Sequence, residues 1–332
     1  MVRGEMASIS KTPEAGQRLR PGPNGLLNGR VTGIQRTRML AATVQAIEEA
    51  GYARLTVAQV ISRAKVSRKT FYDIFADRED CFLAVFEQVL SQARVIALQA
   101  YERESSWREG VRSALARLLM FMDAEPGLAK LCVVESLAAG ERVLQRRAEA
   151  FDELVGVIEK GRSDTSGARE RPEVTAEGVL GGIFEVIHRR LLRGEQEPLS
   201  NLLGPLMSII VLPYLGGAAA SQELKRTAPS LPPEDVQGRA VSRKDPMAGL
   251  EMRLTYRTVR VLMVVGKYPG ANNREIAERS DISDQGQISK LMSRLARLEL
   301  VENLGEGQEK GLANEWRLTA LGAQLEQATR PR

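Results

Sequence analysis

The sequence predicts a mainly α-helical protein, in which a small three-helix domain and a helical bundle precede a second small helical domain. Three observations support this. Apolar residues recur at helical spacing over most of the chain, Pro-rich segments divide it, and the pattern of residues 54–83 predicts two short capped helices. We therefore expect a disordered basic arm over 1–33, a helix-turn-helix domain over 34–80, a helical bundle over 81–222, a linker over 223–249 and a last domain over 250–330.

The helix-turn-helix begins with a helix from Ile34 to Ala50, which Gly51 ends. Thr56 is placed to cap a second helix, and Ser67 a third, because a hydroxyl at the cap accepts from the free N–H groups of the first turn. The third helix then presents its first outward side chains to a major groove. The candidate contacts are Arg68, Lys69, Thr70 and Tyr72.

The order of these residues resembles the DNA-binding domain of TetR-type repressors over about residues 36–85. The matching elements are Thr56-Val57, Val66-Ser67, Thr70-Phe71-Tyr72, Phe75 and Asp77-Arg78-Glu79. The resemblance implies that Thr70 and Tyr72 contact DNA and that Arg78 faces a phosphate. Lys65 departs from the family, which often has Gly at this tight turn. Asp73 also departs: it either accepts from a cytosine amino group, or it caps the helix or pairs locally with Lys69.

Charge separates the proposed DNA-binding end from the middle of the chain. Residues 1–80 carry 13 basic and 8 acidic side chains, whereas residues 81–222 carry 16 and 19. This distribution is typical of a DNA-binding domain joined to a regulatory body. The arm could also reach a minor groove through Arg30, Arg36 or Arg38, although a solvated tail is the simpler interpretation.

The bundle is predicted to hold a homodimer interface and an effector pocket, as the architectural resemblance to TetR-type proteins implies. Helices over 174–193 and 198–215 carry long apolar surfaces, and two glycines four residues apart would allow close helix approach. The candidate interface residues are Gly178, Gly182, Ile183, Ile187, Leu203, Met207 and Ile210. The candidate pocket walls are Leu118, Met122, Leu131, Phe151, Val155 and Phe184, with Arg112, Glu135 or His188 as polar contacts, although for any single residue packing in the core is the simpler interpretation.

The last domain has the order helix, helix, helix, hairpin, helix. Asn273 is expected to cap its second helix and Thr319 its last one, and Leu-Thr-Ala-Leu-Gly at 318–322 resembles the strand exit of MarR-type winged helices. The third helix, over 284–298, turns three polar side chains away from its apolar stripe. These candidate DNA contacts are Gln287, Lys290 and Arg294. The wing tip is acidic, at Glu306 and Glu309, so docking to another protein stays an alternative.

Several classes are disfavoured by composition. Two cysteines and one histidine in 332 residues form neither a disulfide framework nor a metal site, and no nucleophile motif or phosphate loop indicates an enzyme or a cofactor. No signal peptide is evident, so we expect a cytoplasmic protein. The uncharged run 202–220 approaches membrane-span length, but five Gly and Pro residues interrupt it, which favours a buried helix over a membrane anchor.

These patterns predict a homodimeric transcriptional regulator that binds a palindromic operator in double-stranded DNA. We expect a repressor that a small-molecule effector releases, with a second, carboxy-terminal DNA-binding module. The alternative is an adaptor anchored on DNA, whose winged helix and bundle bind a protein partner.

Overall fold

The computed structural model divides into two compact units, one formed by Gly33–Leu254 and the other by the remainder of the chain. We describe each unit by itself. The residues that the structure describes are 23–162, 172–195, 197–226, 254–282, 284–305 and 314–329.

The amino-terminal helices follow the predicted order. They are α1 (Pro23–Ala50), α2 (Val57–Ala64), α3 (Arg68–Tyr72) and α4 (Arg78–Tyr101), with a 3-10 turn at Tyr52–Arg54 between the first two. Helix α1 begins at Pro23, within the segment that the sequence assigned to a disordered arm; residues 1–22 lie outside the described part. A proline suits a first helical position, because the N–H that it lacks would have no partner there.

Five further helices build the bundle in the same unit. They are α5 (Trp107–Ala124), α6 (Pro126–Val133), α7 (Glu141–Glu159), α8 (Thr175–Arg193) and α9 (Leu203–Lys225), with 3-10 turns at Glu135–Ala138 and Leu199–Leu202. The predicted helical character of 81–222 is confirmed. Helix α9 runs on to Lys225, so the first residues of the predicted linker are helical, and 227–253 lie outside the described residues.

Two apolar cores hold this unit together. The first joins α1, α2 and α3 to α4 and α6, with Phe71, Phe82 and Leu131 fully buried; the second joins α5, α8 and α9 around Met207 and Tyr214. Burying one such side chain contributes about 1.5–3 kcal/mol. The three-helix domain therefore shares its core with the start of the bundle.

Two described helices, Arg78–Tyr101 and the run Leu199–Lys225, are long and apolar enough to cross a membrane by length and composition alone. Core helices of soluble proteins meet the same criterion. Helix α4 buries Phe82, Val85 and Phe86 in the first core, and α9 buries Ile210 among others in the second. Gly216, at φ 79° and ψ 177°, breaks α9 near its middle.

Both cysteines belong to this unit and are free thiols, Cys132 being half-buried. Cys81 is fully buried, with its sulfur 3.2 Å from the Thr43 hydroxyl. Burial raises the pKa of the Cys81 and Cys132 thiols to about 12, so both stay protonated at neutral pH. The described residues hold no group of three or more potential metal ligands among His, Cys, Asp and Glu.

The carboxy-terminal unit contains α10 (Tyr256–Lys267), α11 (Asn273–Arg279), α12 (Gln285–Arg297), β1 (Val301–Asn303), β2 (Trp316–Leu318) and α13 (Ala320–Thr329). The strands pair antiparallel, with Val301 opposite Leu318. Ala271 forms an isolated bridge to Trp316, just before α11. The hairpin tip, residues 306–313, lies outside the described part of the chain.

Two caps of this unit were predicted, one correctly. The Thr319 hydroxyl accepts from the Gly322 N–H at 3.1 Å, as expected for the cap of α13. The prediction for α11 was wrong by one residue: Asn272 is the cap, and it forms a capping box with Glu275. Asn273 instead accepts from the Trp316 indole at 2.7 Å, which ties α11 to the hairpin.

Candidate nucleic-acid interface

The second helix of the amino-terminal domain is fixed at both ends. The Thr56 hydroxyl accepts from the Gln59 N–H, and the Gln59 side chain accepts from the Thr56 N–H at 2.8 Å, which completes a capping box. At the other end Lys65 adopts the left-handed conformation, φ 51° and ψ 43°, in place of the more usual glycine. Such a conformation costs a non-glycine residue about 1 kcal/mol, so the turn tolerates the departure.

The third helix, α3, is the candidate recognition helix. Ser67 caps it by accepting from the Thr70 N–H at 2.9 Å, as predicted, and the two hydroxyls lie 2.8 Å apart. Phe71 is fully buried beneath the helix, while Arg68, Lys69 and Tyr72 are exposed. The structure thus brings the predicted side chains together on one outward face, with Thr70 half-buried at its edge.

Aromatic packing sets the orientation of α3. The Phe71 ring meets Tyr72 edge-on at 5.4 Å and Phe75 at 5.7 Å. The Arg36 guanidinium of α1 lies over the Phe75 ring at 5.7 Å. Arg36 therefore packs beside the recognition helix. Arg38, in contrast, is buried and unavailable to a minor groove.

Arg78, for which the family resemblance implied a phosphate contact, is exposed at the start of α4 and also contacts the turn before α2. Its guanidinium donates to the Leu55 carbonyl at 2.8 Å and lies over the Tyr52 ring at 5.0 Å. Arg78 thus braces the turn before α2, because its guanidinium binds a backbone carbonyl and an aromatic face of that turn.

Asp73 ends the recognition helix, and its N–H donates to the Lys69 carbonyl at 2.8 Å. Its carboxylate is exposed beside the outward face. Among the described residues, Lys69 and Asp73 form no ion pair.

The corresponding surface of the carboxy-terminal unit lies on α12. Asp284 caps the helix, and hydrogen bonds from the Gln287 and Gly286 N–H groups hold the pKa of its carboxyl below the ordinary range. Gln287, Lys290 and Arg294 are exposed, as predicted. The Gln287 side-chain oxygen accepts from the Arg257 guanidinium of α10 at 2.9 Å, a neighbour that sequence spacing did not indicate.

The predicted pocket residues are only partly brought together. Phe151 and Phe184 lie 5.8 Å apart between α7 and α8, and the Arg147 guanidinium covers the Phe184 ring at 5.7 Å. Met122 and Val155 pack against the same core, and Leu118 is half-buried on α5. Leu131 belongs to the other core, beneath the helix-turn-helix.

The predicted polar contacts of that pocket have other partners. Arg112 donates to Glu223 at 2.5 Å, and Glu135 accepts from the Tyr52 N–H at 2.8 Å. His188 lies 3.9 Å from Glu185 on its own helix. An open cavity of about 420 Å³ lies elsewhere, between α1 and α4. Its walls are Arg36, Thr37, Leu40, Ala84, Glu87, Gln88 and Ser91.

The predicted dimer residues divide into two groups. Gly178 and Gly182 are exposed on α8. The five apolar candidates were wrongly placed, because they point into the core of the single chain and are at most 4 % exposed. They are Ile183, Ile187, Leu203, Met207 and Ile210. A helical apolar stripe marks a buried face, but its period does not tell an intramolecular core from an interface.

Helices α2 and α3 are short, capped and joined by a tight turn, and α3 carries basic and hydroxyl side chains on its outward side. This arrangement is a helix-turn-helix, the class of motif that binds double-stranded DNA. Residues 39–85 match the family of bacterial regulatory proteins, tetR family. The amino-terminal domain is therefore a TetR-family DNA-binding domain, and the prediction for this part of the chain is confirmed. The match supports DNA binding in transcription regulation as the role of this domain.

Similar solved structures cover about half of the chain. They include the fatty acid degradation regulator FadR from Bacillus halodurans, 18 % identical over 52 % of this chain and 96 % of that one, with a TM-score of 0.47. FadR from Bacillus subtilis in complex with stearoyl-CoA is 18 % identical over 54 % and 98 %, at 0.46. SmeT, the repressor of the Stenotrophomonas maltophilia multidrug efflux pump SmeDEF, is 16 % identical over 59 % and 95 %, at 0.47. No curated protein matches the chain.

Proposed function

We propose that this protein is a homodimeric, cytoplasmic transcriptional repressor that binds a palindromic operator through α3 and is released by a small-molecule effector. The observation that carries the proposal is the outward face of α3, where Arg68, Lys69 and Tyr72 project from a capped helix within a TetR-family domain. Arginine and lysine can bind guanine edges or phosphates, and tyrosine can donate to a phosphate.

Dimerisation is proposed through the exposed sides of α8 and α9. A side-chain carbon at Gly178 or Gly182 would meet no atom within 4 Å, so a partner helix can approach this face closely. Three large apolar side chains of the same two helices are 44–56 % exposed. They are Leu192, Ile209 and Leu212. These residues replace the buried ones that sequence spacing suggested.

The effector is proposed to bind within the bundle, near Phe151 and Phe184. Two aromatic rings with Arg147 over one of them offer both an apolar surface and a positive charge, the combination that suits an amphipathic ligand. A thermal-shift screen against apolar and amphipathic metabolites tests this, and a hit must also change operator affinity to count.

The carboxy-terminal unit is proposed to be a winged helix that makes a second DNA contact. Three helices, an antiparallel hairpin and the bridge between Ala271 and Trp316 support that fold. Lys290 and Arg294 would contact phosphates or guanine, and Gln287 a base edge, from one face of α12. In a dimer, tethering would raise the effective concentration of this module once α3 has bound.

The central experiment is selection of duplexes from a random pool by the full-length protein, followed by footprinting of the selected DNA. We expect a two-fold symmetric sequence and affinity that falls steeply with salt. Failure to enrich any sequence would contradict the proposed function.

Removal of residues 227–332 then separates the two roles of the last domain. If it contacts DNA, truncation shortens the footprint and flattens the salt dependence, and Gln287→Ala with Lys290→Ala reproduces most of the loss. An unchanged footprint, with a protein partner that co-purifies only with the full chain, would favour the adaptor alternative.

A further inference from the structure

A short segment of the bundle touches the amino-terminal domain on both sides of the helix-turn-helix. This segment, residues 135–142, connects α6 to α7 and is called the strut below. One end meets the turn that precedes α2, and the other meets the start of α4, which follows α3. The contacts therefore bracket the DNA-binding helices, although they lie in the bundle.

The first contact is made by Glu135. Its carboxylate accepts from the Tyr52 N–H at 2.8 Å. Gly51 has φ +76°, and a side-chain carbon there would lie 3.2 Å from the same carboxylate oxygen. Tyr52 is buried under Arg78, so its position in the domain is fixed. Glu135 therefore binds a rigid part of the amino-terminal domain.

The second contact is made by Arg142. Its guanidinium donates to both carboxylate oxygens of Asp77, at 2.7 and 2.8 Å. The backbone N–H of Arg142 donates to the Glu79 carboxylate at 2.9 Å. Gly140, at φ +115°, lets the strut approach, because a side-chain carbon there would lie 2.5 Å from the Glu79 carboxyl carbon. Asp77 also caps α4, so Arg142 binds the group that fixes the helix start.

The charge state of this contact is settled at neutral pH. Burial opposes ionisation of Asp77, but hydrogen bonds from the Asp80 N–H and from Arg142 outweigh it and lower the pKa of the carboxyl. Arg142 and Asp77 are 42 % and 53 % exposed, and ion pairs this exposed contribute little to folding stability. The contact matters instead for geometry, because it fixes the start of α7 against the start of α4.

We propose that Glu135 and Arg142 are positioning residues for operator recognition: they hold the DNA-binding helices at a fixed angle to the bundle. The inference rests on the proposed dimeric DNA-binding function. In a dimer the bundle sets the separation of the two α3 helices, so loss of the strut contacts alters the match to both half-sites at once. Binding of one isolated half-site needs no such match.

The test uses full-length variants and two duplexes: the selected palindrome and a duplex that carries one half-site. Arg142→Ala is compared with Arg146→Ala, a matched control, because Arg146 makes the next α7-to-α4 ion pair, with Glu87 at 2.6 Å. Glu135→Ala is compared with Glu135→Gln, whose amide oxygen still accepts from Tyr52. Sedimentation and thermal unfolding establish that each variant is folded.

We expect Arg142→Ala and Glu135→Ala to bind the palindrome at least about fivefold more weakly, with half-site affinity unchanged. Arg146→Ala should match the wild type on both duplexes, and Glu135→Gln should recover part of the loss. Equal losses on both duplexes, or the same loss in Arg146→Ala, would overturn the positioning role. If the wild type selects no duplex, the proposed function fails first and this inference falls with it.

Discussion

Replacing Tyr72 by Phe isolates one atom of the proposed DNA contact. The side chain is 52 % exposed, and its hydroxyl has no hydrogen-bond partner among the described residues. The ring, which meets Phe71 edge-on at 5.4 Å, is retained. The free energy of unfolding should therefore change by less than about 0.5 kcal/mol.

Operator affinity should change more than stability. Loss of one phosphate hydrogen bond costs about 1 kcal/mol, which corresponds to about a fivefold larger dissociation constant. No charge is removed, so the dependence of affinity on salt should keep its slope. Lys69→Ala removes one exposed charge on the same helix and should reduce that slope by about 0.9.

The assay is fluorescence anisotropy of a labelled selected duplex, titrated between about 50 and about 200 mM salt. Lys130→Ala, which removes an exposed charge from α6 of the bundle, is the control for net charge. If Tyr72→Phe and Lys69→Ala both bind like the wild type while folded, α3 is not the DNA-binding surface.

Two further predictions concern the bundle. Gly182→Leu fits the single chain, where nothing lies within 4 Å, so it should shift the protein toward monomer by sedimentation, whereas Gly156→Leu, equally open on α7, should not. A dimer that both variants leave intact would contradict the proposed face. Glu223→Gln should lower the free energy of unfolding in urea by about 3–5 kcal/mol, because it leaves the buried Arg112 without its full counter-charge. Glu185→Gln, which breaks an exposed pair, should cost less than about 1 kcal/mol, and equal costs would refute the role of burial.

The sequence was most informative where local chemistry determines local structure. Thr56, Ser67 and Thr319 all cap the helices that they were predicted to cap, since a cap depends only on the next three residues. Helix identity and order over the bundle followed from apolar spacing for the same reason.

Long-range partners could not be obtained in this way. Arg112 and Glu223 are far apart along the chain, and nothing in the local pattern indicates that they meet. Glu135 was assigned to a pocket on its position in an apolar helical region, yet its carboxylate lies against Tyr52. The only sequence signal for these long-range contacts was a charged residue at a helix end, and such residues are common on solvated surfaces.

The prediction of apolar interface residues was wrong for a related reason. The same apolar stripe could face the chain itself or a second copy, and the period of Ile183 and Ile187 fits both. Gly178 and Gly182 are exposed and stay candidates for the proposed interface, because glycine within a helix costs stability relative to alanine.

The protonated thiols of Cys81 and Cys132 make this chain convenient for site-specific chemistry. Reagents that attack thiolates should react slowly with both native sulfurs while the protein is folded, because burial raises the pKa of both thiols. A cysteine introduced at exposed Lys69, away from the proposed dimer face, would be the reactive one. Spin labels placed there would measure how far apart the two α3 helices lie in the proposed dimer.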